Sequence, residues 1–91
     1  MKISGKQVTA ARNLLGITQV ELAAAANVAE STVMRFEAGQ AEPQRASLEK
    51  ILAELERRGI EFINGVGPGL RLNLEKAAEY ARAGKATRGE P

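Results

Sequence analysis

With 91 residues, 44% of them hydrophobic, the chain has room for one small domain with a modest core and a short appendage. It contains no Cys, His or Asp, which excludes a disulfide framework, thiolate and histidine metal sites, an Asp-rich calcium loop and a Ser-His-Asp triad. Thirteen Lys and Arg against eleven acidic residues leave a net charge of +2, so any attraction to a polyanion rests on where the charges point.

The first helix is predicted from Gly5 or Lys6 to Leu15, opened by a capping box between Ser4 and Gln7, with Val8, Ala11, Leu14 and Leu15 as its apolar face and Gly16 as its stop. Residues 18–39 then read as two short helices joined by a tight turn. Thr18 and Glu21 form a T-x-x-E capping box, and Leu22, Ala23 and Ala26 share one face. Asn27 falls where the chain must turn, a residue that tolerates positive φ. The next helix is expected over 29–38, with Val33 and Phe36 facing inward and Gly39 as its left-handed stop. Small side chains at Ala23 and Ala26 let these two helices cross closely, the layout of a helix-turn-helix.

Gly39 and Pro43 mark a loop before a fourth helix from Gln44 or Arg45 to Arg58. Leu48, Ile51, Leu52 and Leu55 recur at i, i+3, i+4 and i+7, and Gly59 closes the segment. From residue 60 the period changes to two: Ile60–Ile63 and Leu70–Leu74 flank a Gly-rich loop, as a β-hairpin does. Glu61 and Arg71 are placed to pair across its outer face, while Phe62, Leu70 and Leu72 need a partner, either the fourth helix or the hairpin of a second copy. The G-x-G pattern of the loop lacks the following helix with GK[ST] that a phosphate cradle needs, so it reads as a hairpin loop. Residues 74–83 form a short final helix or fray, with Asn73 as cap, and residues 84–91 are expected to be disordered.

The string T-Q-x-x-L-A, then V, then S-T-V-x-R-F-E-x-G resembles the phage lambda repressor and Cro-like (Xre-type) DNA-binding domains over residues 5–58. The implied fold is mainly α: a lambda-repressor-like bundle of four helices, followed here by the hairpin and a short tail helix. The expected division is a DNA-binding domain over 1–59, a hairpin over 60–74 that serves dimerisation through Phe62, Leu70 and Leu72, and a helix and tail over 75–91.

The resemblance also implies roles for single residues. Gln19, beside Thr18 at the second helix's N-terminus, matches a phosphate-holding position, the alternative being a solvated glutamine. Glu30, Ser31, Thr32, Met34 and Arg35 lie outside the inward set of the recognition helix. Arg35 is the expected base reader, a guanidinium matching O6 and N7 of guanine, with a phosphate contact or an ion pair to Glu30 or Glu42 as alternatives. Ser31 and Thr32 offer hydroxyls to bases or phosphates. Glu30 either accepts from cytosine N4 or stabilises its own helix N-terminus, and Ala29 lacks the capping hydroxyl usual in the family. Gln40, Gln44 and Arg45 match positions that meet the backbone or minor groove, and Lys6 a flanking phosphate. Arg12 and Glu37 match a structural ion pair that fixes the recognition helix on the first helix.

The expected function is a transcriptional regulator that binds double-stranded DNA as a homodimer on an inverted repeat. An antitoxin-like protein, autoregulating through the helix-turn-helix and binding a toxin or other protein partner through its C-terminal segment, is the alternative. No enzymatic activity and no cofactor are expected. No apolar run approaches the ~20 residues that span a bilayer, and residues 1–16 lack a signal-peptide core, so a cytoplasmic, nucleoid-associated location without membrane contact is expected.

Overall fold

The computed structural model describes residues 2–88, with side chains as far as Gly84. Five helices and one hairpin follow in the order α1 (Gly5–Leu15), α2 (Gln19–Ala26), α3 (Glu30–Glu37), α4 (Arg45–Arg57), β1 (Ile60–Ile63), β2 (Gly69–Leu72) and α5 (Leu74–Arg88). Both predicted capping boxes are formed: the Ser4 and Thr18 hydroxyls accept from the N–H of Gln7 and Glu21, whose side chains accept from the cap N–H groups in return. Gly16 and Asn27 take left-handed conformations, at φ 71° and 60°, and stop α1 and α2 as their residue types allow. Ala29 caps α3 without a side-chain hydrogen bond.

The core is one cluster in which Val8 and Ala11 of α1, Leu22, Ala23 and Ala26 of α2, Val33 and Phe36 of α3, and Ile51 and Leu55 of α4 meet Ile3 and Ile60. Leu14 was expected to join it and does not; it is about half exposed. Gln7, Val8, Ala11 and Leu15 turn inward, and on a helix at about 100° per residue Leu14 lies roughly 120° from Val8.

β1 and β2 pair antiparallel in the register Ile60 with Leu72, Glu61 with Arg71, Phe62 with Leu70 and Ile63 with Gly69. The alternation of two therefore places Phe62, Leu70 and Leu72 inward, and all three pack on the chain's own core. Strand β2 ends earlier than the expected Leu74. The Asn73 N–H donates to the Gly59 carbonyl at 2.8 Å, and the Asn73 side chain accepts from the Lys76 N–H at 3.0 Å, which starts α5. Leu74, the third leucine of the alternating run, is thereby turned out to solvent. Helix α5 continues past 83 to Arg88, since Ala, Lys and Arg are good helix formers and no proline intervenes; the rest of the expected tail, 89–91, lies outside the described residues.

Two polar contacts unseen in the periodicity tie these elements together. The Gln7 amide, already used in the α1 cap, donates to the carbonyls of Ile63 and Gly69 at 3.3 and 3.1 Å, pinning the loop end of the hairpin to α1. Glu54 is buried on α4 between Arg57 and Arg58, at 2.7 and 2.6 Å, and both guanidinium groups lie about 5 Å from the Tyr80 ring of α5. No described helix is long and apolar enough to cross a membrane.

Candidate nucleic-acid interface

Because the core side chains of α3 are Val33 and Phe36, the opposite face of that helix is left to solvent, and it carries Glu30, Ser31, Met34 and Arg35. Thr32 is half-buried at the flank. Ser31, Thr32 and Arg35 line a shallow depression of about 170 Å³ closed on its other side by Ala41, Glu42 and Pro43. Arg35 has no ion-pair partner among the described residues: Glu42 is taken by Lys2 at 2.6 Å, and neither it nor Glu30 reaches the guanidinium. Of the alternatives open to Arg35, base reading and a phosphate contact remain.

Helix α2 brings its N-terminus to the last turn of α3, where Gln19 meets Glu37. The first N–H groups of a helix have no intrahelical partner. The Thr18 hydroxyl satisfies that of Glu21 at 3.0 Å, which leaves those of Gln19 and Val20 directed outward, where the helix dipole is positive. The Gln19 side chain itself is committed inward, its amide donating to Glu37 at 3.0 Å. It is therefore not a solvated glutamine: one amide N–H is held by Glu37, and the second, with the backbone N–H groups and the exposed Thr18 hydroxyl, remains for a phosphate at this end of α2.

The scaffold under both helices is the Arg12–Glu37 pair. The guanidinium meets the carboxylate through two parallel hydrogen bonds, Nε to Oε2 and Nη2 to Oε1, both 2.8 Å, and its Nη1 donates to the Ile17 carbonyl at 3.0 Å. Burial alone would raise the Glu37 carboxyl. The hydrogen bonds from Arg12 and Gln19, with the guanidinium charge, outweigh it and hold the group below its ordinary value. The Arg12 guanidinium is correspondingly raised by its hydrogen bonding to Glu37. The carboxylate thus joins α1, the first turn of α2 and the last turn of α3, and the guanidinium adds the loop before α2 through Ile17. Gly5 completes the seat of α3, because a Cβ there would lie 2.0 Å from the Phe36 carbonyl oxygen; the two backbones touch where any side chain would separate them.

The remaining candidates are peripheral. Gln40 and Gln44 are exposed beyond α3, and Arg45 holds only a loose, exposed contact with Glu49 at 3.5 Å. Lys6 is exposed on the first turn of α1. In the hairpin, Phe62, Leu70 and Leu72 have their apolar surface turned to the core, and among the described residues the exposed large apolar side chains of the C-terminal region are Ile63, Val66 and Leu74. The outer face carries the expected Glu61–Arg71 pair.

A protein-family model described as Helix-turn-helix, of the Cro and C1 type, matches residues 8–62, from the first helix into the first hairpin strand. No curated protein matches the chain.

Proposed function

The chain belongs to the helix-turn-helix family of lambda repressor and Cro type and is a DNA-binding regulator of that kind; from that premise we propose that it reads a specific inverted-repeat operator as a homodimer, with α3 in the major groove. The observation that carries the reading is the pairing of an unneutralised Arg35, among exposed Glu30 and Ser31, with a helix bolted to α1 by a buried ion pair. A guanidinium free of protein partners can bond O6 and N7 of guanine, and a rigid helix holds it in register. Phosphates on either side would meet the N–H groups of Gln19 and Val20, the Thr18 and Thr32 hydroxyls, and Arg45 and Gln40 past the end of α3. Glu30 fits a cytosine N4 donor, and selects by repelling bases that offer only acceptors. The role is binding, with no catalysis.

A single short helix contacts few base pairs, so useful affinity calls for two copies whose α3 helices sit about 34 Å apart on one face of the duplex. Since Phe62, Leu70 and Leu72 serve the chain's own core, the surfaces left for a second copy in this region are the two unpaired hairpin edges and the outer face with Ile63. The same open edges support the antitoxin-like alternative, in which a toxin or other protein adds a strand. Selection of binding sites from a random duplex pool tests the proposal. Enrichment of an inverted repeat with half-site centres about one helical turn apart is expected. Enrichment of no common sequence refutes it, and an asymmetric single site refutes the dimeric part.

A further inference from the structure

Met34 stands on the outward face of α3 with about half of its surface in solvent. The inward direction of that helix is set by Val33 and Phe36. At about 100° per residue the opposite direction falls on Ser31, and Met34 and Arg35 straddle it, each roughly 50° away. Leu14, Val20, Ile63, Val66 and Leu74, the other large apolar side chains exposed among the described residues, all lie outside α3. Met34 is therefore the one large apolar side chain among the polar and charged groups that face the groove.

A thioether accepts hydrogen bonds weakly and donates none, so it gains nothing from O6 or N7 on a base edge and little from an amino group. The major groove offers one apolar group, the C5-methyl of thymine. Methionine also suits such a contact mechanically, since three rotatable bonds let the side chain settle on a methyl whose position varies with local twist. We propose that Met34 is a specificity-determining residue that selects a thymine in each half-site through its 5-methyl group, beside the base pair met by Arg35. The assignment rests on the reading of α3 as the helix that enters the major groove.

The test uses the full chain and the site enriched from a random pool. Each thymine of the half-site is replaced in turn by deoxyuridine, which keeps every hydrogen-bonding group and lacks only the methyl. Dissociation constants are measured for the wild type, Met34→Ala and Met34→Leu, with circular dichroism confirming that each variant is folded. One thymine is expected at which the wild type loses about four-fold on replacement, the factor that burial of one methyl group carries. Met34→Leu should keep that penalty and Met34→Ala should abolish it, binding both duplexes alike. An enriched site at which no thymine shows a penalty, or at which Met34→Ala keeps it, overturns the assignment alone. A pool from which the wild type enriches no sequence overturns both the assignment and the reading beneath it.

Discussion

Replacing Arg12 by Met while Glu37 remains would leave a carboxylate that is 5% exposed facing a thioether. The variant loses two charge-assisted hydrogen bonds at 2.8 Å, and the Ile17 carbonyl loses its donor at 3.0 Å. With Arg12 itself only 14% exposed, solvent screening offers little relief, and stranding one member of such a pair costs about 3–5 kcal/mol. Domains of this size have roughly 5–14 kcal/mol in total, so the loss is a large share of the stability. At about 4–8 °C per kcal/mol, the midpoint of thermal unfolding should fall by at least about 12 °C. Urea unfolding gives the free energy directly. The double variant Arg12→Met/Glu37→Leu separates cause from packing: with no charge left to strand, most of the loss should return. A single variant within 1 kcal/mol of wild type, or a double variant no more stable than the single, would refute the reasoning that Glu37 depends on its partner rather than on the surrounding fold.

Gly5→Ala places a methyl 2.0 Å from the Phe36 carbonyl oxygen, so α3 must move off α1; a loss of about 1–3 kcal/mol in urea unfolding is expected, and a stabilisation by helix propensity would contradict the contact. Gln7→Glu keeps the acceptor for the Ser4 N–H but sets a carboxylate against the Ile63 and Gly69 carbonyls; a loss of about 1–3 kcal/mol at pH 7, with faster hydrogen exchange in β1 and β2, is expected, and wild-type stability would contradict it. The Glu37 carboxyl is held below its ordinary value in the fold, so its contribution is complete above the unfolded value of about 4.3 and drains as pH falls through the lower folded one. Glu37→Gln should therefore be less stable at pH 7 and lose less on acidification below about pH 4.3 than wild type, followed by urea unfolding across that range; equal slopes would remove the ion pair from the explanation.

Features decided within four residues were legible in the sequence. Ser4 with Gln7, Thr18 with Glu21, and Asn27 at its positive φ follow from local backbone needs, and the structure realises each of them. The inward faces of α2, α3 and α4 were legible as well, because an amphipathic stripe is written in the spacing itself. What escaped is decided at long range. Gln7 looks complete as a capping residue, and nothing near it in the sequence indicates that its amide spans 56 residues to the hairpin. Gln19 matches a phosphate position, yet which partner its amide takes depends on how Glu37 is brought beside it by the crossing of α2 and α3. The buried Glu54 had a readable sign, arginines three and four residues on, but such patterns mostly mark solvated surface pairs. Leu14 shows the reverse error, an apolar residue near the stripe that the packing leaves outside.

The central claim is that the exposed face of α3 reads base sequence. Its most direct test is fluorescence anisotropy of the full chain on the enriched duplex and on a scrambled duplex at two salt concentrations, with Arg35→Ala alongside. Tight binding of the enriched site that weakens with salt, a preference over scrambled DNA, and loss of about 1–3 kcal/mol of that preference in Arg35→Ala are expected. Undiminished preference in Arg35→Ala, or equal affinity of the wild type for both duplexes, would contradict the claim.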